Sequence, residues 1–260
     1  MIIRRTALFV VLTAAALGAA GTSACSSDSS TADAGPAAQA GTVNAQSAKG
    51  SSTTYVSGVS QAVDQNKGQA ALGTLISGAQ QAQSIVSPAA GAGVGARPAN
   101  LLLRDVIGQV SQAITSCDTA CTGTTCDFKG CGTSDGGTIT INGTLSWTGG
   151  NLKCVNLTYD IDQSSIGGSK TKITLDCDVT VTASTLKGTI KSKGTTSLGG
   201  LLAEAGAAAA GIGDVGWSSE TNFVDVKYAS GKPTSGSVKV SATTTVAGQS
   251  YAGSAEVTFP

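Results

Sequence analysis

The 260-residue chain contains no histidine. Without an imidazole, neither a Ser-His-Asp nor a Cys-His catalytic system can be built from it. Glutamate is almost as scarce, with Glu204, Glu220 and Glu256 the full set. Serine is plentiful, yet no match to Gly-x-Ser-x-Gly or Ser-x-x-Lys has its catalytic partners. Basic residues are in no excess: 16 Lys and Arg match 16 Asp and Glu, and aromatics make up 4% of the chain. No stripe of cations interleaved with aromatics occurs, so the electrostatic footprint of nucleic-acid binding is missing. Cys117-x3-Cys121 and Cys126-x4-Cys131 fall only loosely within zinc-ligand spacing, and no Cys-x-x-Cys pair or histidine completes them. These absences predict no catalytic residues, no metal and no cofactor.

What is there begins with Met1-Ile2-Ile3-Arg4-Arg5, a short basic segment. The uncharged apolar run from Ala7 to Ala20 is shorter than the roughly 20 residues a membrane-spanning helix needs. Gly21-Thr22-Ser23-Ala24 follows, completing the three-part pattern of a secretory signal peptide over residues 1–24. Small residues ahead of Cys25, with Ser26-Ser27-Asp28 behind it, resemble a bacterial lipoprotein signal, the lipobox. The resemblance covers residues 1–30 and departs from the family at Thr22, where leucine or a similar residue is usual. It implies that Cys25 becomes the mature N-terminus, carries acyl chains and anchors the chain to a membrane. In that family an aspartate directly after the cysteine marks inner-membrane retention. Ser26 stands there, which implies the outer membrane. Ordinary cleavage after Ala24, at a Thr-x-Ala site, is the alternative.

Seven cysteines are present. With Cys25 lipidated, the odd total becomes an even set, Cys117, Cys121, Cys126, Cys131, Cys154 and Cys177. In an oxidising compartment such a set is expected as disulfides, with the pairing left open by spacing. Cys154 and Cys177 suit adjacent strands, but Cys154 stands beside Val155 and so is expected to point away from the apolar row that holds Cys177. Either a bulge lies near Lys153, or each pairs with a cysteine of the 117–131 loop; the second is the preferred expectation.

Composition then divides the chain. Residues 25–53 are Ser, Ala, Gly, Thr and Asp with little to bury, the signature of a flexible tether. Residues 54–116 read as helical. Val56, Val59, Val63, Leu72, Leu75, Ile76, Ala79, Ala82 and Ile85 recur at three- and four-residue intervals, and Gly68 and Gly73 suggest two helices. A further stripe, Leu103, Val106, Ile107, Val110 and Ile114, follows Asn100 as a candidate N-cap. Residues 117–135 form a cysteine-rich loop too polar and glycine-punctuated for regular structure.

From 136 to 260 the period becomes two. Seven strands are expected, around Ile139–Trp147, Val155–Ile161, Ile173–Val181, Leu186–Lys193, Val224–Tyr228, Val238–Val240 and Tyr251–Phe259. The apolar, glycine-rich segment 196–216 interrupts them as a covering connection. The expected fold is α+β, mainly β: N-terminal helices, then a seven-stranded antiparallel meander, curved or half-barrel, with 54–260 one domain. Strand count and helix placement give an architectural analogy with the half-barrel of lipoprotein carriers.

Asp160 with Asp162, and Asp176 with Asp178, are outward-facing pairs that could converge as a calcium site or a glycosidase acid pair; outward strand positions are ordinarily just polar. Lys170, Lys172, Lys187, Lys191 and Lys193 suggest a modest basic strip, or charges that resist edge-to-edge association. The sequence therefore predicts an exported, non-enzymatic, outer-membrane lipoprotein holding an apolar ligand against its sheet. The alternative is a structural or protein-interaction module of the envelope, and a third reading is an enzyme using the aspartates. No nucleic acid is expected as a partner.

Overall fold

A computed structural model of the chain describes residues 37–65, 67–88, 116–133, 138–163, 169–197 and 214–260. Cys25, the signal segment, the stripe at 103–114 and residues 198–213 lie outside them. Asn44 starts the first helix, its side chain accepting a hydrogen bond from the Ser47 N–H at 3.1 Å; this satisfies a donor that a helix start leaves open. Helix α1 runs Ala45–Val63 and α2 runs Gly68–Ala82. Helix α1 is rich in glycine, serine and threonine, and α2 carries Gly68, Gly73 and Gly78, all weak helix formers, so packing must hold them. A Cβ on Gly78 would lie 2.7 Å from the Tyr55 ring, and one on Gly58 would lie 3.1 Å from Leu75. The missing side chains let the helices approach closely, and Ser51 donates to the Gly78 carbonyl at 2.8 Å.

The tether expected over 25–53 is overtaken by structure. Strands β1 (Gln39–Ala40) and β2 (Thr42–Val43) and the first half of α1 fall inside it. Ala48, Ser51 and Ser52 are fully buried against the second helix and the sheet, where small side chains serve close packing rather than mobility.

The remaining strands are β3 (Val86–Ser87), β4 (Cys121–Thr122), β5 (Thr125–Thr133), β6 (Thr138–Thr148), β7 (Asn151–Asp162), β8 (Lys170–Thr182), β9 (Thr185–Ser197), β10 (Val215–Ala229), β11 (Lys232–Val246) and β12 (Gln249–Phe259). Their order is β1-β12-β11-β10-β9-β8-β7-β6-β5-β4, one open sheet of ten strands, with β2 and β3 a separate pair. The expected seven strands correspond to β6 through β12, so the count was too low. The sheet is also mixed, because β1 runs parallel to β12. Strands β1 and β4 are two residues each, too short for periodicity to reveal. Strand β5 lies in the segment expected to be irregular; its glycines hide a pattern in which only Cys126 and Phe128 are buried.

Two bulges correct the face assignments. On β7, Cys154 pairs with Cys177 and Leu157 with Leu175, leaving Val155 and Asn156 opposite Asp176 alone. On β10, Phe223 pairs with Gly188 and Val226 with Leu186, leaving Val224 and Asp225 opposite Lys187. Each extra residue switches the parity of its strand. Val155 and Val224, both expected in the apolar row, are instead the exposed members at 43% and 45%. Cys154 therefore points inward, and the preferred disulfide expectation is overturned. Cys154 bonds Cys177 directly across β7 and β8, while Cys117–Cys131 and Cys121–Cys126 close the loop on itself.

One face of the sheet is apolar. Ile141, Leu145, Leu157, Tyr159, Ile173, Leu175, Phe223 and Val240 lie on it, all buried, and the two helices pack over it. Two hydrogen bonds link α1 to the sheet, Tyr55 hydroxyl to Ser192 Oγ at 3.2 Å and Tyr228 hydroxyl to Asp64 Oδ1 at 2.9 Å. A third ties β11 to β3, Thr244 hydroxyl to the Val86 carbonyl at 2.9 Å. Burial pushes the Tyr55 hydroxyl well above its usual pKa, outweighing its serine hydrogen bonds. Burial, and then the Asp64 carboxylate, do the same to Tyr228.

Candidate functional site

The helices occupy the apolar face, so the exposed chemistry of the sheet is on the other side. Alternation puts Asp160, Asp162, Lys170, Lys172, Asp176, Asp178, Lys187, Lys191 and Lys193 there, as the sequence suggested. What the sequence did not reveal is their register. Asp160 stands opposite Lys172, Asp162 opposite Lys170, and Asp178 opposite Lys153. Asp176 stands opposite Lys191, which on its other side faces Glu220. The acids are thus interleaved with lysines rather than gathered together, and no cluster among the described residues has the composition of a metal site.

Several of these contacts close. Lys170 Nζ lies 2.8 Å from Asp162, and Lys187 Nζ lies 2.7 Å from Asp225. Lys191 lies 3.5 Å from Glu220. Hydrogen bonding to Asp162, then its charge, raises the Lys170 pKa. Asp176 is engaged by the chain itself: the Asn156 N–H at the β7 bulge donates to its Oδ1 at 2.7 Å. Exposed pairs of this kind contribute about 0–1 kcal/mol each. Among the described residues, Lys153 and Lys172 stand opposite Asp178 and Asp160 without closing an ion pair.

Two adjoining grooves cross this face. One, of about 640 Å³, includes Asp176, Lys191, Lys193 and Glu220 in its lining. The other, of about 570 Å³, includes Lys172 and Lys193 and no carboxylate. The two share Thr174, Lys193, Ser218 and Thr243. These four stand in register across β8, β9, β10 and β11, and Thr158 on β7 extends the row. The row was out of reach of sequence reasoning, because single strands carry no information on which residues face one another.

No protein-family model, curated protein or solved structure matches the chain.

Proposed function

We propose that this chain is a non-enzymatic lipoprotein of the bacterial cell envelope, anchored to the outer membrane through Cys25, that binds a partner on the polar face of its sheet. The observation that carries this is the occupancy of the other face. Tyr55, Val56, Val59, Leu72, Leu75 and Ile76, all at most 2% exposed, fill the apolar side from within the chain. Three disulfides are compatible with export. The bulges that bend β7 and β10 support a half-barrel, with the helices seated in its hollow. Acid–lysine interleaving supports a binding role over catalysis, because Asp160, Asp162, Asp176 and Asp178 each have a lysine directly opposite on a neighbouring strand.

A second reading keeps the apolar ligand, with the helices as a removable cover. It is favoured by buried polar atoms with no hydrogen-bond partner within the described protein: Tyr159 Oη and Thr221 Oγ1 on the covered face, and the Gln80 amide and Gln83 Nε2 at the end of α2. Each costs about 1–3 kcal/mol, which lowers the work of lifting the helices.

The anchor is tested by fractionating cells that express the wild-type chain or Cys25→Ser. The wild type should partition with outer membranes and carry an acyl mass increment, and the variant should lose both. A variant that keeps the same mass and stays with membranes contradicts the anchor.

A further inference from the structure

Six lysines lie on β7, β8 and β9. Lys153, Lys170, Lys172 and Lys191 each have an acid directly opposite, and Lys187 pairs with Asp225. Lys193 is the exception, with Thr174 on one side and Ser218 on the other. It makes no ion pair among the described residues. It also lies where the two grooves meet. Lys172, its diagonal neighbour on β8, contributes the second ammonium of the carboxylate-free groove. Diagonal neighbours on adjacent strands are about 7–8 Å apart, close enough for one anionic group to reach both long side chains.

A single small anion would need only that pair. The surroundings extend further. Thr158, Thr174, Ser218 and Thr243 continue the row of Lys193 over five adjacent strands, β7 to β11. With strands about 4.8 Å apart, the row covers about 19 Å. Hydroxyls donate and accept, which suits sugar hydroxyls. The one aromatic residue of the groove, Trp217, is turned to the covered face beneath Gly194, where a Cβ would fall 2.6 Å from the indole. A ligand that stacks, such as a nucleic-acid base, finds no platform here.

Building on the reading that the polar face is the working surface, we propose that this groove binds an acidic polysaccharide, with a uronate carboxylate at Lys193 and Lys172 and the flanking sugars along the hydroxyl row.

The test uses the full chain carrying Cys25→Ser, exported and purified with its disulfides intact. Polygalacturonate is the probe, neutral dextran and inorganic phosphate are the comparisons, and binding is followed by affinity electrophoresis and calorimetry at low salt. Polygalacturonate should bind and dextran should not. Lys193→Gln should weaken binding at least tenfold, Lys193→Arg should restore most of it, and Lys227→Gln, on the same face outside both grooves, should leave it unchanged. Equal losses in the Lys193→Gln and Lys227→Gln variants would reduce the effect to general charge and overturn the proposal. Phosphate competing as well as polygalacturonate would overturn the polymer reading. No binding of polygalacturonate at all would overturn this inference and leave the anchored binding module standing, since that is judged by membrane partitioning of the Cys25→Ser variant.

Discussion

Asn156 on β7 and Asp225 on β10 share one backbone conformation, with φ of 47° and 49°. Each follows an exposed valine and precedes a buried residue, and each faces a glycine on the next strand. A Cβ on Gly143 would clash with the Asn156 carbonyl oxygen, and one on Gly236 with that of Asp225. Asn and Asp tolerate the left-handed region better than other side chains, and glycine alone fits opposite. The sheet thus uses the same bulge twice.

Gly143→Ala should therefore destabilise the protein by at least about 2 kcal/mol, because it adds a side chain at φ +101° against backbone. Val155→Thr, three-sevenths exposed beside the same bulge, should stay within about 0.5 kcal/mol. Urea denaturation of both variants checks this. A harmless Gly143→Ala, or a costly Val155→Thr, would mean the register on β7 is wrong.

These bulges also mark the limit of what the sequence discloses. Period-two alternation located β6 through β12 because each carries enough inward residues to count. It misplaced Val155 and Val224 because a one-residue bulge reverses parity without altering composition. That error carried into the cysteines: with Val155 held inward, Cys154 had to point outward and away from Cys177. Helix α1 began earlier than expected because Ala48, Ser51 and Ser52 resemble linker until the helix they touch is known. The charged residues of the polar face were legible one by one. Their neutralising partners were not, since pairing across strands is a property of register.

Partial proteolysis under non-reducing conditions should recover the bonds Cys117–Cys131, Cys121–Cys126 and Cys154–Cys177. Replacing Cys154 and Cys177 together by serine should cost about 2–4 kcal/mol. A peptide linking Cys154 or Cys177 to the 117–131 segment would contradict the register of β7 and β8.

The helix pair depends on close contact. Leu75→Ala, at a residue 1% exposed, should cost about 2–5 kcal/mol. Gly78→Leu should cost as much by forcing α2 away from the Tyr55 ring. Thermal melts followed by circular dichroism measure both. Wild-type stability in either variant would show that the helices do not rest on one another as described.

Alkaline pH should weaken the fold. Burial raises the pKa of Tyr55, Tyr159 and Tyr228 above that of tyrosine in an unfolded chain, about 10. The folded state then holds these protons more tightly than the unfolded state. Their contribution is complete below about pH 10 and is lost as pH rises beyond it. Tyr55→Phe should flatten that decline relative to wild type in denaturation between about pH 9 and 11. An unchanged slope would contradict the buried, neutral hydroxyl at Tyr55.

In the proposed function the chain's own helices fill the apolar face and the polar face is left to bind. Non-denaturing mass spectrometry on the exported Cys25→Ser chain tests it most directly. The protein should appear bare, lighter than its fully reduced form by the hydrogens of three disulfides. A reproducible one-to-one adduct of lipid mass would contradict it and transfer the function to the space beneath the helices.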